Sequence, residues 1–131
     1  MIFAGISGEI MEANFTDTVS ERIILSIIFN NPKSYIDIAD LLVKEDLSTE
    51  THSILWHCFE RSFENDPESI DKFAIRNTAQ DLGYKEYDVL TDAGKYTESL
   101  FTQKVAAKNL LRAARRIKDL SLKRKLLNTT V

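Results

Sequence analysis

The sequence predicts an all-α protein, a compact helical bundle of about four short helices followed by a projecting antiparallel helical hairpin. Three observations predict it. Between Ser20 and Gly83 apolar residues recur at steps of three and four, the period of one buried helical face. The four Gly and two Pro fall mostly between those periodic segments, where they punctuate helices. From Lys104 to Leu127 the same period continues without a break.

Thr18-Val19-Ser20-Glu21 has capping-box spacing, with Thr18 as N-cap and Glu21 reaching back to it. Ile23, Ile24, Ile27 and Ile28 then form one apolar face. β-Branched residues also suit a strand, but the cap and the period of four favour a helix. Asn30-Asn31-Pro32 ends it and opens a second helix, with Asn31 as cap, Pro32 in the first turn and Tyr35, Ile38, Leu41 and Leu42 facing inward. Ser48 caps a third helix, Thr49 to about Asn65, in which Leu55, Phe59 and Phe63 repeat at i+4 beside Trp56. Asp66-Pro67 breaks the chain. Asp71 caps a fourth helix carrying Phe73, Ile75, Ala79 and Leu82, and Gly83 terminates it in the left-handed region.

Residues 84–103 predict a short helix, weakened by Gly94, that turns near Thr102. The last helix is the most regular: Ala106, Leu110, Ala113, Ile117, Leu120 and Leu127 follow a/d spacing, with Arg124 as a charged intruder. Ala107, Leu111 and Ala114 widen the stripe. The 24 residues from Lys104 to Leu127 span about 36 Å at 1.5 Å per residue. A compact four-helix core does not cover that length, so the helix is expected to project, paired with residues 86–101. The expected organisation is a flexible extension over 1–17, a bundle over 18–83, the hairpin over 84–127 and a tail over 128–131.

A net charge of −3 conceals a strong asymmetry. Residues 104–131 carry nine Lys/Arg and one Asp, whereas residues 1–103 carry nineteen Asp/Glu and eight Lys/Arg. Cys58 is the sole cysteine, which excludes an internal disulfide and suits a reducing cytosol. No apolar run approaches the length of a membrane span. The first ten residues lack the basic and long apolar regions of a secretory signal.

Few residues suggest catalysis. Gly94-Lys95 resembles the end of a P-loop, but Val89 and Tyr96 occupy the positions that need Gly and Ser/Thr. His52 and His57, five apart on a helix, diverge by about 140° and do not converge on one metal ion. His52 is expected to pack near the helix start, His57 to be solvated and Cys58 to be a small core residue. No metal, cofactor or catalytic residue is assigned. The basic face of Lys108, Arg112, Arg115 and Arg116 suits phosphates or an acidic partner. The absence of any aromatic residue in 104–131 removes the stacking platform used for single strands. The stripe of Ala106, Leu110, Ala113, Ile117 and Leu120 is the expected oligomer or partner interface.

The order of these segments resembles the N-terminal domain of DnaB-type replicative DNA helicases of bacteria and their phages. Glu21 to Ile28 followed by Asn30-Asn31-Pro32, Lys44-Glu45-Asp46-Leu47 followed by His52 to Trp56, Ile70-Asp71 with Phe73 and Ile75 ending at Leu82-Gly83, and Val105 to Leu110 before a basic stretch carry the resemblance. It covers about residues 19–127. The family's Gly-Gly before the hairpin is missing near Tyr84 to Tyr87, and Val105 stands in place of its proline.

The resemblance implies a collar domain of a hexameric, ATP-dependent helicase acting in DNA replication in the cytoplasm of a bacterium or phage-infected cell. Copies pair into dimers, three dimers make a ring, and primase and loaders or inhibitors dock there. ATP and Mg belong to the motor domain to which residues 128–131 would lead. Two other readings fit the pattern. One is the helicase-binding C-terminal domain of a primase, whose fold is similar. The other is a small helix-turn-helix regulator built on residues 49–82, where only Arg61, Lys72 and Arg76 are positive.

Overall fold

The structure is a computed structural model that describes residues 15–84 and 92–129. Among the described residues five α-helices follow in order: α1 (Thr18–Asn30), α2 (Glu50–Asn65), α3 (Lys72–Asp81), α4 (Asp92–Thr102) and α5 (Leu110–Thr129). Short 3-10 turns cover Pro32–Asp37, Lys44–Asp46 and Ala107–Asn109. No strand occurs among the described residues, so the all-α class holds.

The isoleucine run does form a helix. Asp17, one residue before the predicted Thr18, is its N-cap and accepts from the Ser20 amide at 3.0 Å. α1 is the central element: α5, α4 and α2 all pack on it. Ile24, Leu25, Ile27, Ile28 and Phe29 are almost wholly buried, and each contributes roughly 1.5–3 kcal/mol by leaving water. Asn30 Nδ2 donates to the carbonyls of Leu100 and Gln103, both at 2.9 Å, which ties the end of α1 to the end of α4.

The predicted second helix is instead a 3-10 turn followed by further turns. Tyr35, Ile38 and Leu41 lie three apart, and three residues per turn is the 3-10 period, so the tighter coil aligns them. Tyr35 is buried among Trp56, Phe59 and Phe63, with ring centroids 5.6, 5.3 and 5.0 Å away. α2 is capped by Thr49, one residue after the predicted Ser48. Leu55, Trp56 and Phe59 on α2 are fully buried. α3 begins at the predicted cap, Asp71, and Gly83 follows it with φ +89°.

Among the described residues the last two helices each pack on the bundle. α4 packs on α1 and α3, and α5 packs along α1 and the Lys44–Asp46 turn. Leu110, Ala114, Ile117 and Ser121 are at most 3% exposed, so more than half of α5 lies in the bundle. The small Ala113 and Ala114 let α1 approach closely. The 13 residues of α1 cover about 20 Å of α5, and the turn before α2 covers the next stretch. The predicted extension over 1–17 and the hairpin's first arm lie partly outside the described residues. No described helix is long and apolar enough to cross a membrane.

Candidate docking surface

Two carboxylates fix α5 and the start of α2 relative to α1. Asp46, fully buried, accepts from the Val43 amide at 2.8 Å, Ser121 Oγ at 2.7 Å and Lys118 Nζ at 3.2 Å. Burial alone raises its pKa, but these donors outweigh it and hold the carboxyl below its ordinary 3.8. Arg124 donates to the carbonyls of Asp46 and Phe15, so the apparent intruder in the apolar stripe is a clamp. Arg116 pairs with Asp17 at the start of α1.

Glu21, also fully buried, accepts from the Ser48 amide and hydroxyl at 2.8 and 2.6 Å and faces His52 Nδ1 at 2.8 Å. His52 Nε2 meets the Tyr96 hydroxyl at 2.6 Å. One chain of polar contacts therefore joins α1, α2 and α4. Burial pushes Glu21 up, yet the His52 and Ser48 hydrogen bonds prevail and its pKa lies below 4.5. Glu21 does not complete a capping box, because its carboxylate turns inward to the next helix.

These polar groups are bonded to each other rather than offered to a substrate. Both His52 nitrogens are engaged. His57 is half-buried against the Tyr84 hydroxyl at 2.8 Å rather than solvated, and burial lowers its pKa. Burial pushes the Cys58 thiol up to about 12, which keeps it protonated and a poor nucleophile. Among the described residues no group of three His, Cys, Asp or Glu is arranged to hold a metal ion.

The surface of α5 reverses part of the sequence assignment. Leu110, Ala113, Ile117 and Leu120 are 3%, 8%, 1% and 5% exposed within this chain alone, so they are its core and not a face open to a partner. Ala106 is exposed, but it precedes the 3-10 turn and lies off the helix. The outer face instead presents Leu111 and Leu122, 42% and 46% exposed, with Lys108, Arg112, Arg115 and Arg116. Neither Lys108, Arg112 nor Arg115 has an ion-pair partner among the described residues. A groove of about 770 Å³ runs beside this face, lined by Ile23 and Leu41 together with Arg112, Arg115, Lys118 and Leu122. Leu111 was legible as part of the second stripe. Leu122 was missed because it falls in neither of the two apolar stripes read along the helix.

Comparison with curated proteins and with solved structures returns no match to either. The family model described as the DnaB-like helicase N-terminal domain matches residues 14–119, which includes α1 through the first half of α5. With the greater part of its length matched, the chain belongs to the DnaB-like helicase N-terminal domain family.

Proposed function

We propose that this domain is the collar of a hexameric, ATP-dependent replicative DNA helicase, associating with copies of itself and docking primase, a loader or an inhibitor during DNA replication. The family match over residues 14–119 carries this reading. The outer face of α5 supports it, since exposed leucines beside uncommitted cations suit protein contacts better than catalysis. In this reading ATP and Mg serve the motor of the parent helicase. The setting is the cytoplasm of a bacterium or phage-infected cell.

Association uses side chains that the bundle leaves open, Leu111 and Leu122 among them, because the stripe of Leu110, Ala113, Ile117 and Leu120 is already covered. A pull-down of primase on the immobilised chain tests the docking role. Retention of primase is expected, and its loss on Leu122→Asp places the contact on α5. A chain that retains no primase and remains monomeric at high concentration contradicts the reading.

A further inference from the structure

We propose that the groove beside α5 receives an acidic amphipathic helix of a partner protein, with aliphatic side chains on one face and carboxylates along its flanks. The inference deepens the docking role and rests on it.

The rim of the groove supplies the charge. Arg112 and Arg115 line it, are exposed and have no ion-pair partner among the described residues. Arg116 and Lys118 also line it, each already paired with a carboxylate of this chain. The one acid among the described lining residues, Asp119, lies 3.6 Å from Lys123. A partner carboxylate entering the groove therefore meets two cations that need not give up an existing bond. Opposite charges arranged this way steer encounter and fix register more than they add affinity.

The floor supplies the apolar contact. Ile23, Leu41, Ala113 and Leu122 line the groove, and Leu122 is 46% exposed while Ile23 and Leu41 are half-buried. An apolar floor beside the cationic edge formed by α5 fits a helix that inserts aliphatic side chains and sets acids against that one edge. A phosphate backbone has no use for that floor. Among the described residues the lining has no aromatic side chain, which a single strand would need for stacking. Leu110 to Leu122 on α5 spans about 20 Å, the length of a helix of about 13 residues.

Fluorescence anisotropy with the full chain tests the proposal. The probe is a labelled helical peptide of about 14 residues, with leucines at i, i+3, i+7 and i+10 and glutamates flanking them. A control peptide has glutamine for every glutamate, and a labelled oligothymidine serves as the nucleic-acid probe. The acidic peptide is expected to bind about tenfold more tightly than the glutamine control, and less tightly as salt rises. Arg112→Glu with Arg115→Glu is expected to weaken binding by about tenfold or more with the melting temperature unchanged, since neither arginine holds the fold. Equal binding of the two peptides overturns the proposal, as does a charge reversal without effect. Tighter binding of oligothymidine overturns it in favour of nucleic acid. A dimer of the chain that the charge reversal dissociates overturns it in favour of a second copy. A charge-reversed chain that still retains primase leaves the docking role standing and removes the groove from it.

Discussion

The Ser121 hydroxyl, on the buried side of α5, donates to Asp46 Oδ1 at 2.7 Å across 75 residues of sequence. That contact explains why the last helix lies on the bundle. A buried carboxylate needs donors, and three of those around Asp46 come from α5 or the turn that α5 covers. Asp46→Asn keeps the shape but removes the charge that Lys118 faces, and about 2–3 kcal/mol of stability should go with it. At about 4 °C per kcal/mol, the loss is measurable by thermal denaturation. A melting temperature within a degree or so of wild type contradicts the role given to Asp46.

The same carboxylates set the acid limit of the fold. Glu21, Asp46 and Asp17 have pKa values below their ordinary 4.5, 3.8 and 3.8. A group depressed in the native state binds fewer protons there than in the unfolded chain. Its contribution is complete above the unfolded value and is lost as pH falls through the native one. Stability should therefore hold near neutrality and decline below about pH 4.5. Glu21→Gln should lie lower at neutral pH and show a shallower decline. A decline equally steep in the variant would show that other groups set the acid limit.

Tyr96→Phe tests the polar chain between helices. It deletes the hydroxyl 2.6 Å from His52 Nε2 and leaves a largely buried ring nitrogen without its partner. The expected cost is about 1–2 kcal/mol, read from urea unfolding. Amide exchange should quicken in α4 ahead of α2, since the tie to α4 is the one cut.

Ile117 and Leu122 separate the inner and outer faces of α5. Ile117 is 1% exposed and Leu122 46%. Ile117→Ala should destabilise the isolated chain by about 2–4 kcal/mol through the cavity it leaves. Leu122→Ala should cost about 0.5 kcal/mol or less while weakening capture of primase. Equal stability losses in the two variants would mean that the helix is rotated from the position described.

Several elements were legible because one local signal sufficed. Asp71 followed by a periodic run marked α3, and Gly83 marked its end with the positive φ that an L side chain resists. Other signals were duplicated. Asp17 and Thr18, or Ser48 and Thr49, are adjacent cap residues of similar chemistry, and the choice depended on distant partners. Ser48 lost the cap to Thr49 because it bonds Glu21, which no local spacing announces. The stripe of Leu110, Ala113, Ile117 and Leu120 was read as a partner interface because periodicity does not say which surface does the burying. The covering face is α1, ninety residues earlier in the chain. Arg124, read as a flaw in that stripe, reaches carbonyls at Phe15 and Asp46 that only the folded chain brings near it.

The most direct test of the docking assignment is light scattering on the full chain over a concentration series, alone and mixed with primase. The account predicts a mass that rises above the monomer as concentration increases, and a co-eluting complex once primase is added. A constant monomer mass, with primase eluting separately at every concentration, would contradict it.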